Sequence, residues 1–362
     1  MPDFDFLIFL IDRAAYMKIR HVLIVCLLLI VSVSASAQPI TPAFTAHHPK
    51  SNFMPGANAL SSITTDTVPQ SQIDCGRLGI TVGGLGGAIT ALHIYQANAW
   101  WNNDRTSFHV IEDADYQSEF DKVGHMFGAY YSSFFFDQAY KWAGLDSAQS
   151  ALTGAISGAL WEFYVEIEDG YAGAWGFSRG DAKSDIVGAA FYLLNQRLPL
   201  LKDFRYKWFY YPTTKLTANQ PDIPGQSVTF IEDYGGQTYY LRADIHSMLP
   251  DNMKQYWPSW LNLAVAVSGY NINSVDSLSP IGNPFDMRHK AWYISLDYDI
   301  DKIFPESSIG ILNFLRQSWG YWHFPAPAFR FYPNPHFFLT FPVSFSIDHG
   351  LHLTAEPSLG GK

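Results

Sequence analysis

Apolar and small residues recur with a helical period in the first half of the chain and with a period of two in the second half. In the first half, small residues return every four positions, as at Gly79, Gly83 and Gly87, which places them along one side of a helix. Such a ridge lets a helix backbone approach a neighbour closely, in a membrane or in a tight soluble pair. The pattern predicts four helices, over residues 78–103, 121–140, 145–165 and 181–197.

After residue 200 apolar and polar residues alternate as they do in strands. Strands are predicted over residues 228–230, 238–245, 261–267, 291–300 and 337–347, and one more short helix over residues 311–321. Pro342 within the last run favours an edge strand, because proline cannot donate to a sheet ladder. The sequence therefore predicts an α+β fold: a compact bundle of about four glycine-rich helices over residues 76–200, followed by a smaller antiparallel β-rich region over residues 201–362.

The N-terminal segment has the features of a secretory signal peptide. Met17, the expected true start, is followed by basic residues, an apolar run and small residues, so signal cleavage is expected after Ala37. Cys26 offers a lipoprotein cleavage site, but the valine before it is too large for a typical lipobox. Residues 1–37 are thus interpreted as a signal peptide and residues 38–75 as a flexible linker. The chain is expected to be exported, to the periplasm or to the outer membrane.

The composition is rich in apolar residues and poor in charge. Hydrophobic residues make up 48% of the chain and aromatic residues 16%, with 15% charged residues against about 25% in an ordinary protein. This composition fits a protein that lies against a membrane or lipid, and equally a soluble protein with a large aromatic core. Signal cleavage would leave Cys75 without an internal disulfide partner. The net charge of −10 and the lack of a basic stripe argue against nucleic acid as a partner, while protein partners stay unknown.

Three short runs bring acidic and histidine side chains onto helical faces. Residues four apart on an α-helix are turned by only about 40° from each other, so their side chains are neighbours. The pairs are Asp121 with His125, Glu162 with Glu166, and Asp181 with Asp185, and Asp169 follows three residues after Glu166. The third predicted helix carries its small residues on the same face as its two glutamates. These carboxylates are therefore expected to point inward or into a cleft.

Three functions are open for this cluster. The first is structural: Lys122, with Arg179 and Lys183, pairs with the acids and fixes closely packed helices or a polar cleft. The second is a metal-dependent hydrolase or transferase acting on lipid or cell-wall material, in which His125 is a general base or a metal ligand. The third is a carrier of an apolar ligand, or a scaffold at the outer membrane, that uses the aromatic strands.

The candidate residues follow from these hypotheses. The catalytic candidates are His125, Asp121 and Glu166. The wider polar cluster adds Lys122, Glu162, Asp169, Ser178, Asp181 and Asp185, and the candidate metal ligands are Asp121, His125, Glu166, Asp169, Asp181 and Asp185. Oxygen ligands with one imidazole suit Mg, Mn, Ca or Zn, but the lack of a compact motif such as His-Glu-x-x-His leaves the cofactor and the reaction open. Ser178 lacks a Gly-x-Ser-x-Gly elbow, so a helix cap fits it better than a nucleophile.

Longer motifs around these residues resemble a known family. They are Phe-His at 108–109, Phe-Asp-Lys-Val-Gly-His at 120–125, Glu-x-x-Asp-Gly at 166–170, Trp-Gly-Phe-Ser-x-x-Asp at 175–181, and Gly188. These motifs resemble the YfiM-like family, a domain of unknown function in predicted periplasmic or outer-membrane proteins, and later motifs resemble its long form in Bacteroidetes. The Asp-Lys-x-x-His run is more distantly similar to VanZ-like membrane proteins. Both resemblances imply an envelope location and neither implies a reaction. The chain departs from both at Asp185, where the pattern has asparagine.

Overall fold

The structure, a computed structural model, describes residues 73–101, 105–113, 116–221, 228–270, 289–346 and 352–355. The predicted signal peptide and nearly all of the predicted linker lie outside the described residues. Within the described part, long helices fill the first half and an antiparallel sheet fills the second half. The predicted α+β fold is therefore confirmed.

Four long helices form a bundle in which helices consecutive in sequence run in opposite directions. They are α1 (Cys75–Gln96), which continues as a π-helical turn (Ala97–Trp101), α2 (Phe120–Trp142), α3 (Ser147–Asp169) and α4 (Arg179–Arg197). At one end of the bundle, the backbone N–H of Asp74 donates to the carbonyl oxygen of Ala143. At the other end, Nε1 of Trp101 donates to Oδ1 of Asp169 at 2.6 Å. The start of α2, the end of α3 and the start of α4 thus meet at one end of the bundle.

Glycines allow α2, α3 and α4 to pack in close contact. A Cβ atom on Gly158 of α3 would lie 2.7 Å from the backbone nitrogen of Ser133, and one on Gly188 of α4 would lie 2.0 Å from the carbonyl oxygen of Met126. The expected contact along ridges of small residues is therefore found in these three helices. On α1 the outcome differs, because a Cβ atom on Gly83 would meet nothing within 4 Å among the described residues.

The segment from α1 through its π-helical turn, Cys75–Trp101, is long and apolar enough to cross a membrane. It has 27 residues, an 18-residue window within it has a mean hydropathy of 1.4, and 6% of that window is buried. It is the one such helix within the described ranges. Length and composition alone select it, and signal sequences or core helices meet the same criterion. One such helix therefore does not by itself establish a membrane span.

Asp146 caps the N-terminus of α3. Its Oδ1 accepts hydrogen bonds from the backbone N–H groups of Ala148 and Gln149, both at 2.8 Å, and so satisfies two donors that a helix start leaves free. We expect Asp146→Ala to lower the free energy of unfolding by about 1 kcal/mol and the melting temperature by about 2–4 °C, measured by circular dichroism. Asp146→Asn keeps a capping oxygen and is the control. Identical melting of the two variants would contradict the capping role.

The second half of the described chain is built on a six-stranded antiparallel sheet. Two short strands of the first half, β1 (Val110–Ile111) and β2 (Phe177–Ser178), pair in parallel beside the bundle. The sheet strands are β3 (Phe204–Tyr210), β4 (Gln237–Ala243), β5 (Leu261–Tyr270), β6 (His289–Tyr298), β7 (Ala326–Tyr332) and β8 (His336–Phe341), and they lie side by side in that order. A last antiparallel pair is β9 (Val343–Ser346) with β10 (His352–Ala355).

Short helical segments connect these strands. They are α5 (Thr214–Thr217), α6 (Ile245–Met248), α7 (Asp251–Lys254), α8 (Ile300–Ile303) and α9 (Gly310–Trp319), with 3-10 turns at Tyr116–Glu119 and Tyr234–Gly236. The predicted helix over residues 311–321 is α9. The predicted strands over residues 238–245, 261–267 and 291–300 are β4, β5 and β6.

Two parts of the strand prediction need correction. The predicted strand over residues 228–230 is wrong: this segment is coil and turn, and the backbone N–H of Val228 donates to the side chain of Asn219 instead of a neighbouring strand. The predicted run over residues 337–347 divides at Pro342 into β8 and β9, and its last residue lies outside the described part. Strands β3 and β7 were not predicted. In the six-stranded sheet β8 is an edge strand, as Pro342 indicated.

The two faces of the sheet have different surroundings. On the face that we call outer, Tyr206 and Tyr239 pack against Phe127 of α2. The opposite, inner face is buried, because the sheet curls around it: the backbone of Trp208 in β3 hydrogen-bonds to the segment at Tyr321, which leads into β7. The outer face of β3 and β4 thus fixes the sheet to the helix that begins the acidic cluster.

Polar groups with balanced charge lie on the inner face. Nζ of Lys207 donates to Oδ1 of Asp297 at 2.7 Å, and Arg242 pairs with Asp299. Nδ1 of His323 lies 2.8 Å from Oδ1 of Asp297. Burial lowers the pKa of His323, so this imidazole is neutral at neutral pH. Two cations therefore face two carboxylates, as expected for a buried structural network.

Candidate functional site

Helices α2, α3 and α4 bring the predicted polar residues together at one end of the bundle. The first turns of α2 carry Asp121, Lys122 and His125. The last turns of α3 carry Glu162, Glu166 and Asp169, and the first turns of α4 carry Asp181 and Asp185. We call these eight residues, together with Asp113 before α2, the acidic cluster. Because two helices begin where the third ends, side chains that are distant in sequence converge.

Lys122 is the fixed positive charge of the acidic cluster. Its Nζ lies 2.8 Å from Asp113, 2.9 Å from Asp181 and 3.2 Å from Asp121. Asp113 was not predicted, because it lies in an irregular segment where no helical spacing marks it. Arg179 and Lys183, expected in the same cluster, are exposed, and Arg179 pairs with Glu112 instead. Among the described side chains, the cluster's positive charges are thus Lys122 and His125.

His125 lies at the centre of the cluster. Its Nδ1 is 3.1 Å from Oδ1 of Asp185 and 3.7 Å from Oε1 of Glu166. Its Nε2 is 3.8 Å from Oδ1 of Asp121 and 3.9 Å from Oδ2 of Asp181. Each ring nitrogen therefore faces two carboxylates. The i, i+4 spacing predicted the neighbour Asp121, whereas the other three contacts come from α3 and α4.

The remaining predicted residues have defined partners. Oε1 of Glu162 accepts from the hydroxyl of Ser132 at 3.1 Å. Ser178 is the N-cap of α4, since its Oγ accepts from the backbone N–H of Asp181 at 3.1 Å. The same hydroxyl donates to Asp113, and the backbone N–H of Ser178 donates to Glu166 at 2.9 Å. Ser178 is therefore the helix cap that was expected, and it also links the carboxylates of Asp113 and Glu166.

One further group reaches the cluster from the sheet region. The hydroxyl of Tyr234 donates to Oδ1 of Asp121, and both residues are buried. Tyr234 was not predicted for the site, because no spacing in the sequence links it to Asp121, more than a hundred positions away. Through this contact the second half of the chain closes one side of the acidic cluster.

Burial raises the pKa of several cluster carboxyl groups. It raises the pKa of Glu166 to about 9 and that of Glu162 to about 8, against the opposing charge of His125. Burial also raises the pKa of Asp169 and Asp181 to about 7. Burial alone would lower the pKa of His125, but the surrounding carboxylates outweigh it and hold this pKa well above its ordinary value. Without a bound cation, the cluster therefore retains protons at neutral pH.

A cavity of about 640 Å³ opens over the cluster. Asp121, His125, Glu166 and Asp181 are part of its lining. Its walls are mainly aromatic and come from α1, α2, α3, the β3 and β4 strands and the loops between them, including Trp100, Tyr131, Trp161, Trp175, Trp208, Phe230, Tyr239 and Trp322. The cavity thus combines an acidic floor with apolar walls, a combination suited to a ligand that has a polar end and an apolar body.

Two groups of side chains have the geometry of a cation site. Asp121, His125 and Asp181 form one group, and His125, Glu166 and Asp185 form the other. In each group the ligand atoms lie within 4.8 Å of one another. Oδ2 of Asp185 is buried and has no hydrogen-bond partner among the described residues. Carboxylate oxygens with one imidazole suit Mg, Mn, Ca or Zn, so the residues present fit a divalent cation.

Comparison with known proteins supports an envelope location. A family model described as "Predicted periplasmic lipoprotein (DUF2279)" matches residues 111–197, about a quarter of the chain, which include every residue proposed for the site from the sequence. No curated protein and no solved structure matches the chain. The periplasmic location in this description agrees with the predicted export, and the chain is exported to the cell envelope. None of these comparisons supports the YfiM-like name or the likeness to VanZ-like proteins.

Proposed function

We propose that the acidic cluster binds a divalent cation and that the chain is a metal-dependent hydrolase or transferase acting on an amphipathic molecule of the cell envelope. The excess of carboxyl groups at the floor of an aromatic cavity is the observation that supports this proposal. Lys122 and His125 face the carboxyl groups of α2, α3 and α4 together with Asp113, which outnumber them. Buried carboxylates need a compensating charge, and a divalent cation supplies it.

The inner face of the sheet provides an internal comparison. There, Lys207 and Arg242 face Asp297 and Asp299, so each buried carboxylate has a cation of its own. A polar cluster that serves only to hold the fold reaches this balance with side chains. The acidic cluster does not reach it, and this difference favours a site that takes up a cation over a purely structural network.

The group of Asp121, His125 and Asp181 is the better candidate for the cation that meets a substrate. All three residues line the cavity, whereas Asp185 of the other group does not. A cation held there would supply Lewis-acid chemistry and lower the pKa of a bound water. Glu166 lines the cavity outside this group, and its position suits a general base or acid beside the bound ligand. Asp185 orients His125 through Nδ1 and leaves Nε2 directed at Asp121 and Asp181.

Loss of His125 tests cation binding. We expect the purified chain to bind about one divalent ion at this group, and His125→Ala to weaken that binding by about 100-fold or more, measured by isothermal titration with Mg²⁺, Mn²⁺, Ca²⁺ and Zn²⁺. His246→Ala is the matched control, because that histidine contacts the backbone of Trp257 far from the cluster. If no ion binds and His125→Ala only lowers the melting temperature, the cluster is structural and the proposal is wrong.

The reaction needs a separate assay. The ion-loaded chain is incubated with an envelope lipid extract, and headgroup release or transfer is followed by mass spectrometry. Glu166→Gln is expected to keep ion binding and to lose turnover. A cation-bound chain that turns over no lipid would limit the proposal to binding.

The aromatic walls also support a second function, that of a carrier for an apolar ligand. The cavity volume of about 640 Å³ exceeds what a bound ion requires. Native mass spectrometry of the purified chain distinguishes the two functions: a carrier retains a bound lipid unchanged, whereas an enzyme releases an altered product.

A further inference from the structure

The outer face of the sheet carries a row of exposed apolar side chains across five strands. In the register of the strands, Leu241 faces Val265, Val265 faces Ile294, Ile294 faces Phe329, and Phe329 faces Phe337. Their exposed fractions are 43%, 47%, 50%, 44% and 62% in that order. α2 covers the outer face at β3 and the start of β4, but it does not reach this row. Five neighbouring strands thus present apolar side chains outward.

Neighbouring positions extend this surface. Trp292 of β6 and Leu339 of β8 are also exposed. On the outer side of β6 the charged side chain is that of Lys290, near the first residue of the strand, where its Nζ pairs with Glu119 at 2.6 Å. The charge on this side therefore lies at one end of β6 and not within the apolar row. We call the row from Leu241 to Phe337, with Trp292 and Leu339, the apolar face.

The inner face of the same strands carries small and polar side chains and few large apolar ones. The inner positions of β5 and β6 hold Asn262, Ser268, Ser295 and Asp297, together with Ala264, Ala266, Ala291 and Tyr293, all of them buried. A sheet with one side in water normally directs apolar residues inward and polar residues outward. Strands that face lipid show the reverse order, apolar outward and polar inward. These strands have the second order.

We propose that the apolar face lies against the hydrocarbon of a lipid bilayer. An interface with another protein would explain apolar residues outside, but it does not require polar residues inside. The reversed order of both faces is what lipid surroundings require, because they remove the cost of exposing apolar side chains.

The first half of α3 shows the same reversal. There, Leu152 and Ile156 are exposed, whereas Thr153 and Ser157 are completely buried. A helix that packs in water directs its apolar stripe toward the core. Two kinds of secondary structure thus share the reversal, which points to common surroundings of the chain and not to a docking site on one element. The proposal extends beyond the acidic cluster and does not depend on cation binding there.

A fluorescent label on the apolar face tests this proposal. In the full chain with Cys26 and Cys75 replaced by serine, Leu339→Cys is labelled with an environment-sensitive fluorophore. The chain is mixed with phosphatidylethanolamine and phosphatidylglycerol vesicles whose acyl chains carry bromine. We expect bromine to lower the emission at position 339 by at least about twofold. The matched control is Tyr256→Cys, since Tyr256 is 78% exposed and lies in a turn outside the apolar face.

The label reports on the sheet itself, so anchoring of the chain by another segment does not produce the expected result. Equal emission at positions 339 and 256 on vesicles that carry the chain would overturn the proposal. Shielding of the label in vesicle-free buffer would also overturn it, since a second copy or another segment of the chain would then cover the face. As an independent readout, Ile294→Lys is expected to reduce vesicle binding by about tenfold, whereas Tyr256→Lys is expected to leave it unchanged.

Discussion

Replacing Gly188 with valine is expected to destabilise the helical bundle strongly. A Cβ atom at this position of α4 would lie 2.0 Å from the carbonyl oxygen of Met126 and 2.9 Å from its carbonyl carbon, so it would meet backbone and not a side chain that can rotate away. Helices α2 and α4 would have to separate. Overpacking of a core commonly costs 1–3 kcal/mol, and a clash with backbone lies at the upper limit, so we expect a loss of about 3 kcal/mol or more and a fall in melting temperature of about 10 °C.

Gly83→Val is the matched control for this prediction. Gly83 also lies in a long helix, but a Cβ atom there meets nothing within 4 Å among the described residues. Valine has a somewhat higher helix propensity than glycine, so this variant should melt at the wild-type temperature or slightly above it. Circular dichroism melts of both variants provide the measurement. If Gly188→Val melts like Gly83→Val, α2 and α4 are not in the close contact described above.

The contact at Gly188 also determines the geometry of the acidic cluster. Asp185 precedes Gly188 by three residues on α4, and His125 precedes Met126 on α2. Close approach of the two backbones at this point is therefore what allows Nδ1 of His125 to lie 3.1 Å from Asp185. A partly folded Gly188→Val chain should accordingly lose divalent-ion affinity together with stability.

The sequence was sufficient to predict the long helices and most of the sheet, because their patterns are local. The missed strand β3 shows the limit. Its Arg205 and Lys207 alternate with aromatic residues and suggest a solvent-facing side, yet Lys207 is buried because Asp297, ninety residues later, neutralises it. No local pattern in β3 reveals a partner at that distance.

The residues of the acidic cluster were likewise predicted where their pattern is local and missed where it is not. Helical spacing grouped its residues in pairs, and the small residues of α3 indicated that Glu166 faces inward. Asp113 and Tyr234 were missed, since one comes from an irregular segment and the other from the sheet region. The opposite error concerned Arg179, which was expected in the cluster but whose side chain pairs with Glu112 at the surface. Tertiary packing selects which of several polar groups reach a site, and single-chain periodicity does not contain that information.

The stability of the cation-free chain is expected to fall as the pH rises from about 5 to about 9. In the folded chain burial raises the pKa of Glu166 from its ordinary value of 4.5 to about 9, and it raises the pKa of Glu162 to about 8. Between pH values of about 4.5 and 9, the folded state therefore holds protons that the unfolded chain has released. Raising the pH therefore favours unfolding. The raised pKa of His125 acts in the same direction, because the stability gained from its charge is lost as the imidazole deprotonates.

Other groups around the cluster do not reverse this slope. The pKa of Lys122 is raised, so this lysine stays charged throughout the pH range. The pKa of Asp113 is lowered, since its hydrogen bonds to Lys122 and Ser178 outweigh burial, and its contribution is lost only at more acidic pH. The carboxyl groups of α3 and α4 therefore determine the sign of the dependence.

A bound divalent ion should remove the pH dependence. The ion competes with protons at its own ligands, and its positive charge lowers the pKa of neighbouring carboxyl groups such as Glu166, so the stabilisation it provides grows as the pH rises. Melting curves recorded with EDTA and with Mg²⁺, Mn²⁺, Ca²⁺ or Zn²⁺ across this range test the point. In EDTA we expect a fall in melting temperature of about 10 °C or more, and in the bound ion a nearly flat profile. Glu166→Gln, which cannot release a proton, should make the EDTA profile less steep without any ion. A steep profile that no ion changes would leave the cluster as a proton-holding structural network, whereas a flat profile in EDTA would contradict protonation of the buried carboxyl groups.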